Sequence, residues 1–110
     1  MNYYGRLFIK YDMEIIECEK NKFWYRCKSG EGVFGVAKKF NVSVYKLIKD
    51  NGLVKGLFGG ELLIIESGNL IKLTAEDSPQ KIYETTGRSA EELKRINGVQ
   101  YLPLNIYLSY

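Results

Sequence analysis

The chain of 110 residues is long enough for one ordinary domain or two very small ones. Because 45% of its residues are hydrophobic and 26% are charged, we expect a globular protein, and no apolar run approaches the roughly 20 residues of a membrane-spanning helix. The net charge of +3 is too small to indicate a nucleic-acid partner. No basic segment followed by an apolar core marks a secretory signal at the N-terminus.

The N-terminal segment contains two strand-like stretches, residues 6–11 and 14–18. Residues 5–9 are similar to residues 60–64, so they could be the last strand of an earlier repeat. They could equally belong to a hairpin that extends a sheet. We favour the hairpin, because a two-stranded sheet alone is only marginally stable.

Cys18 and Cys27 flank a turn at residues 20–22 and could form a disulfide, although this turn does not clearly place the two opposite each other. Reduced, partly buried thiols are the simpler expectation. With no histidine and only two cysteines, the chain is not expected to bind zinc, and no cofactor is indicated.

Residues 23–66 predict the order strand, helix, helix, strand. After a strand at residues 23–28 and a turn at residues 29–32, apolar side chains recur with helical spacing at Val33, Val36, Ala37 and Phe40. Asn41 suits a left-handed residue that ends this helix.

The second predicted helix begins after Ser43, whose hydroxyl is placed to cap it. One apolar face consists of Val44, Leu47 and Ile48. Asn51-Gly52 ends the helix, and the branched run at residues 62–65 predicts a strand.

This pattern resembles a LysM module, a small glycan-binding domain common in bacterial cell-wall proteins. The resemblance is carried by residues 28–31, 36–43, 47, 51–53 and 60–64. Two positions depart from the family: Glu31-Gly32 stands where the family has Asp followed by Thr or Ser, and Gly59 stands where it has proline.

The last third of the chain repeats the first pattern. An offset of 46 residues pairs Glu31, Gly32, Val36, Asn41, Ser43, Leu47, Asn51 and Gly52 with Asp77, Ser78, Ile82, Gly87, Ser89, Leu93, Asn97 and Gly98. An offset of 44 then pairs Gly59 with Pro103 and Ile64 with Leu108, which predicts a second loop two residues shorter.

The second copy carries stronger helix-start signals than the first. Residues 89–92 form a capping box, and Pro79 falls within the first helical turn. The second copy also departs from the family: Glu76 replaces the turn glycine and Pro79 replaces a leucine-like residue.

We therefore predict an α+β fold with a β extension at residues 1–22 and two modules, at residues 23–67 and, in more divergent form, 68–110. In each module two short helices would lie on a two-stranded antiparallel sheet. Such short helices are unstable alone, so their packing would fix the loops between them.

The resemblance implies a shallow groove in each module for N-acetylglucosamine-containing glycans, as in peptidoglycan or chitin. In the first module it implies the binding residues Ser29, Gly30, Glu31, Gly32, Val33, Asn51, Gly52, Leu53 and Val54. In the second it implies Glu76, Asp77, Ser78, Pro79, Asn97, Gly98, Val99 and Gln100. Loop backbone would bond the acetamide, and small apolar side chains would hold its methyl group.

Several of these residues also have a purely structural interpretation. Asn51 and Asn97 could end helices as left-handed residues, and Glu31 and Asp77 could stabilise helix starts. Trp24 and Tyr25 alternate on a strand, so one is expected in the core and the other at the surface, where it could stack on a sugar. The lysines are expected on a solvated face: Lys38, Lys39, Lys46, Lys49 and Lys55.

Catalysis is not indicated, because the chain has no histidine, nucleophile elbow or phosphate-binding loop. Glu31 could form an acid/base pair with Asp50 or with Glu61, but two tiny modules leave little room to enclose a substrate. The alternative to glycan binding is an assembly adaptor, for example in a spore coat, whose exposed tyrosines bind a protein. The resemblance implies a cell-wall or spore-surface location, while the lack of a visible signal peptide leaves a cytoplasmic or mother-cell origin open. The small net charge and the lack of a long apolar run indicate no nucleic-acid or membrane partner.

Overall fold

The computed structural model describes residues 15–110, which form an α+β fold of four helices and two small antiparallel sheets. The elements, in chain order, are β1 (Ile15–Glu19), β2 (Lys22–Arg26), α1 (Val33–Lys39), α2 (Val44–Asn51), β3 (Leu62–Glu66), β4 (Leu70–Lys72), α3 (Pro79–Thr86), α4 (Ala90–Asn97) and β5 (Tyr107–Ser109). We call residues 22–66 the first unit and residues 70–109 the second unit. The helices have seven or eight residues, and none in the described range could span a membrane.

The first sheet has the order β1-β2-β3, with Tyr25 of β2 opposite Ile15 on one side and Leu63 on the other. The segment before the first unit thus adds a strand to the sheet, as the hairpin interpretation predicts for residues 14–18. The strand predicted at residues 6–11 lies outside the described residues. Between Glu17 and Glu19 the register shifts, which places Cys18 at a β-bulge. Cys18 is exposed, Cys27 is buried, and both are free thiols.

The first core lies between this sheet and the helices α1 and α2. Its buried hydrophobic residues are Tyr25, Cys27, Val36, Ala37, Val42, Leu47, Leu63 and Ile65. On β2 the alternation resolves as expected, since Tyr25 is 1% exposed and Trp24 is 41% exposed.

The second core is smaller and consists of Leu73, Ile82, Leu93 and Leu108. It is covered by the two-stranded sheet in which β4 pairs with β5, with Ile71 opposite Leu108. Tyr45 of α2 also packs against this core, so the two units share a contact surface.

Corresponding hydrogen bonds connect the segments next to the first and last strands in both units. The Gly60 N–H donates to the Cys27 carbonyl at 2.7 Å, and the Asn105 N–H donates to the Leu73 carbonyl at 2.8 Å. Gly60 and Asn105 both have positive φ, of 90° and 61°. The last strands are therefore offset by 45 residues.

The offset of 44 predicted for the last strand was wrong by one residue. Leu63 corresponds to Leu108, because both are buried, and Ile64 corresponds to Ser109. A single-residue error reverses the faces of a strand, since its side chains alternate. The prediction paired Ile64 with Leu108 because both are apolar, whereas the true equivalent of Ile64 is the polar Ser109.

Most helix ends follow the predicted signals. The Ser43 Oγ accepts the Lys46 N–H, Ser89 and Glu92 complete a capping box, and Pro79 is the first residue of α3. Asn41 has a left-handed φ of 51°. The left-handed residues after α2 and α4 are Gly52 and Gly98, at 60° and 66°, so the left-handed interpretation of Asn51 and Asn97 was wrong.

Lys46 was wrongly expected on a solvated face. Its side chain is 13% exposed and pairs with Asp50 at 2.7 Å and with Glu66 at 3.2 Å. Burial opposes the charge, but these two carboxylates outweigh burial and raise the pKa of Lys46. Lys46 thus ties α2 to the end of β3.

A buried polar cluster joins the two units. The Ser43 Oγ donates to the Asn97 Oδ1 at 2.5 Å, and the Ser43 N–H donates to the Ser109 Oγ at 2.8 Å. The linker is anchored as well, because the Gly68 N–H donates to the Asn41 carbonyl at 3.0 Å. Polar groups that are buried and fully paired in this way fix how two surfaces meet.

Candidate functional site

The turn before α1 is fixed by Glu31. Its Oε1 accepts the Lys28 N–H at 2.7 Å, and the Glu31 N–H donates to the Lys28 carbonyl at 3.2 Å. Gly30 has a φ of 91°, which favours glycine over any other residue. Ser29, Gly30 and Gly32 are exposed, so this turn presents rigid backbone to solvent.

The Glu31 carboxylate faces the protein and does not stabilise the start of α1. Helix α1 begins at Val33 after Gly32, with no acidic residue in its first turn. The Tyr25 hydroxyl donates to Glu31 at 2.7 Å, and the Lys39 ammonium lies 3.7 Å away. Burial opposes ionisation of Glu31, but the Lys28 N–H, the Tyr25 hydroxyl and Lys39 together lower its pKa.

These contacts correct the expectation that Glu31 stabilises a helix start. They also give Tyr25 a role that the sequence did not predict, as the buried hydrogen-bond donor to Glu31. Burial, followed by the hydrogen bond to Glu31, raises the pKa of Tyr25 well above its ordinary value. The Tyr25 hydroxyl therefore stays protonated and donates. The buried position of Tyr25 on an alternating strand was the one available signal.

The second loop of the first unit follows Asn51, whose side chain forms hydrogen bonds to both α2 and β3. Its amide group donates to the Leu47 and Ile64 carbonyls at 3.0 and 2.8 Å, and its Oδ1 accepts the Ile64 N–H at 2.8 Å. Asn51 thereby uses its side chain to position the loop. Gly52 follows as the left-handed residue, Leu53 packs against the core, and Val54 is 89% exposed.

The two loops of the first unit are connected through Gly59. A Cβ on Gly59 would lie 2.8 Å from the Ser29 Cα, so only glycine permits this close approach. The Glu61 carboxylate holds the same stretch by accepting the Phe58 and Gly59 N–H groups at 2.6 and 2.8 Å. The turn at residues 29–32 is therefore braced against the segment that leads into β3.

The backbone at the first pair of loops remains open to a ligand. A Cβ on Gly30, Gly32 or Gly52 would meet no atom within 4 Å. Val33 and Leu53 lie beside these glycines in sequence and are partly buried. The arrangement offers fixed peptide groups with adjacent apolar surface, which suits a neutral polar ligand.

In the second unit, Asp77 repeats the role of Glu31. Its Oδ2 accepts the Thr74 N–H at 2.7 Å, and this hydrogen bond is the main reason for its lowered pKa. The residue that caps α3 is Ser78, which accepts the Lys81 N–H, so Asp77 also closes a turn and does not cap the helix. Glu76, Ser78 and Pro79 are exposed.

The other loop of the second unit packs against the first unit. Asn97 is 1% exposed and bonds the Leu93 carbonyl, both backbone groups of Ser109, and Ser43. A Cβ on Gly98 would lie 2.8 Å from the Lys49 side chain. Val99 is partly buried and Gln100 is exposed, so only the far end of this loop faces solvent.

The carboxyl groups considered for acid/base chemistry are all occupied. Glu31 and Glu61 hold backbone N–H groups, while Asp50 pairs with Lys46 and Lys49 at 2.7 and 2.9 Å. Each of the three has a lowered pKa. None is therefore tuned to donate a proton near neutral pH.

The thiol of Cys27 lies in the core beneath the first turn. Burial, followed by the charges of Glu31 and Glu61, raises its pKa to about 11. A protonated, buried thiol is a poor nucleophile and a poor metal ligand. Residues 15–110 also contain no group of three or more side chains suited to hold a metal ion.

The comparisons with known proteins identify no relative. No family model matches the chain, and no curated protein and no solved structure is significantly similar to it.

Proposed function

We propose that this chain is a noncatalytic carbohydrate-binding protein for N-acetylglucosamine-containing glycans, built from two LysM-like modules. Peptidoglycan strands would be its ligand, with chitin oligosaccharides as a second ligand of the same chemistry. A cell-wall or spore-surface location would follow from that ligand.

The observation that carries the proposal is the pair of braced, open loops in the first unit. Glu31 fixes one loop, Asn51 fixes the start of the other, and Gly59, in the segment before β3, packs against Ser29. A rigid site loses little conformational entropy on binding, so even a shallow groove can hold a sugar. The acetamide would pair with loop peptide groups, and its methyl group would contact Val33, Leu53 or Val54.

The first unit would bind more tightly than the second. Gly52 faces open space, whereas Lys49 covers Gly98 and Asn97 is buried against Ser43. The second unit would therefore act chiefly by holding the first in place. Weak glycan modules gain avidity from tandem copies only when both sites can be occupied at once.

Paired variants at corresponding loop positions test this proposal. Val54→Asp adds a charge to the open loop of the first unit, and Gln100→Asp adds one at the matching position of the second. We expect Val54→Asp to weaken binding to N-acetylglucosamine tetramer by about tenfold, which corresponds to about 1.4 kcal/mol. Gln100→Asp should change it by less than about twofold.

Calorimetry with the tetramer measures both variants, and retention on purified peptidoglycan extends the result to the polymer. Equal weakening by the two variants would contradict the assignment to the first unit. No binding by the unaltered chain would contradict glycan recognition itself.

An assembly adaptor is the second candidate, and a specific surface favours it. A groove of about 560 Å³ lies between the units, and its walls include Phe34 and Tyr107, which are 71% and 53% exposed. Aromatic side chains of this kind are enriched at protein interfaces. Retention on peptidoglycan only in the presence of a second protein would favour the adaptor.

A further inference from the structure

A second cleft between the units is lined by basic side chains. It has a volume of about 350 Å³ and lies where α2, the linker after β3, and α4 come together. Its charged lining residues are Lys46, Lys49, Glu66, Arg88 and Arg95. Both units contribute, so the cleft exists only because the units are joined.

The basic side chains in this cleft differ in how closely carboxylates pair with them. Lys46 and Lys49 pair with Asp50 at 2.7 and 2.9 Å, and Lys46 also pairs with Glu66 at 3.2 Å. These two lysines are largely neutralised by the two carboxylates.

The arginines differ from the lysines. Arg88 approaches Glu92 at 4.0 Å, which is the outer limit of an ion pair. Within residues 15–110, Arg95 has no carboxylate within 4.0 Å, although its charge contributes to the lowered pKa of Glu92. The two lysines are therefore matched by close carboxylates, whereas among the residues that the structure describes the two arginines are not.

We propose that this cleft binds an oxyanion, either a phosphate or a carboxylate group, through Arg88 and Arg95. The planar guanidinium group donates two parallel hydrogen bonds to such an anion and does so more effectively than an ammonium group. The walls of the cleft exclude part of the solvent, which strengthens the attraction relative to an open surface.

This inference is independent of the glycan loops, because no residue of the cleft belongs to residues 29–33 or 51–54. The natural source of the anion rests on the proposed function: on a wall polymer it would be a phosphodiester or a free carboxylate. The chain would then recognise an acidic substituent at the cleft between its units.

The test is an NMR titration of the whole chain with sodium phosphate and, separately, with sodium acetate, each at constant ionic strength set with sodium chloride. We expect saturable shifts of the Arg95 side-chain N–H and of the Ser67 and Gly68 amides. Arg95→Gln should weaken anion binding about tenfold, and Arg88→Gln should also weaken it. A stronger response to phosphate indicates a phosphodiester ligand, and a stronger response to acetate indicates a carboxylate.

Arg26→Gln is the matched control, because it removes one exposed arginine on β2 that donates to the Gly60 carbonyl, away from the cleft. It should leave anion binding unchanged within about twofold. The inference is overturned if Arg26→Gln and Arg95→Gln weaken binding equally, or if the shifts do not saturate. Should Arg95→Gln perturb folding, Arg88→Gln in the turn before α4 gives the same comparison.

Discussion

Each unit ends its second helix with an asparagine, Asn51 in α2 and Asn97 in α4, but the two side chains have different surroundings. Asn51 and Asn97 make matching hydrogen bonds to the preceding helix and to the last strand, at Ile64 and Ser109 respectively. Asn51 stays partly exposed beside an open Gly52, whereas Asn97 is buried under Ser43 beside a covered Gly98. The two asparagines thus hold similar loops, and the packing of the units leaves only the loop after Asn51 open.

The largest expected difference between the units comes from removing these asparagines. Asn97→Ala should lower the free energy of unfolding by about 3 kcal/mol, because buried partners at Leu93, Ser43 and Ser109 lose their bonds. Asn51→Ala should cost about 2 kcal/mol, since its site is partly solvated. Urea unfolding measures both, and an equal loss would mean that the contact between units adds no stability.

A smaller difference is expected at the helix caps. Ser43→Ala removes a cap of α2 and a buried bond to Asn97, so we expect a loss of about 2 kcal/mol. Ser89→Ala removes only the capping box of α4 and should cost about 1 kcal/mol. Thermal unfolding of the two variants checks the order. If Ser89→Ala proves the more damaging, Ser43 does not join the units as described.

The smallest expected effect concerns pH. Glu31 has a lowered pKa in the folded chain, so its contribution to stability is complete above its ordinary value of 4.5 and is lost as the pH falls through the lowered one. Glu31→Gln should therefore flatten the acid side of the stability curve by about 1 kcal/mol.

Asp77→Asn serves as the matching variant of the second unit. Asp77 accepts the Thr74 hydroxyl at 3.2 Å in an exposed setting, a longer bond than the partly buried 2.7 Å bond from Tyr25 to Glu31, so a weaker flattening is expected. Urea midpoints measured between about pH 2 and pH 7 compare the two. A larger change for Asp77→Asn would show that the Tyr25 to Glu31 bond contributes little.

Much of the fold could be predicted from the sequence because its signals are local. Ser43, Ser89 and Pro79 mark helix starts by chemistry within a few residues, and apolar spacing marks the buried faces. The repeat was visible for the same reason, since helices and turns in both units carry similar residues. The register of the last strand was not predicted correctly because its equivalent positions, Ile64 and Ser109, have opposite polarity.

The candidate site was less predictable because its properties depend on contacts distant in sequence. Asn97 is separated by 54 residues from Ser43, and nothing near either residue signals their bond. Lys49 covering Gly98 is likewise a consequence of how the units pack. The sequence could place two equivalent pairs of loops, but only the arrangement of the units distinguishes the open pair from the covered pair.

A glycine substitution in the first turn is unsuitable for testing the groove. Gly30→Val would force a branched side chain to adopt a φ of 91°, so lost binding could reflect a strained turn. Val54 is 89% exposed, and its replacement leaves the turn and core intact. Binding experiments should therefore use side chains at this position.

The central claim is that the open loops of the first unit hold an acetylated sugar. An NMR titration of the labelled chain with N-acetylglucosamine tetramer tests it most directly. We predict saturable amide shifts at residues 29–33 and 51–54, with residues 97–98 unaffected. Shifts confined to residues 97–100, or no saturable shifts at all, would contradict the account.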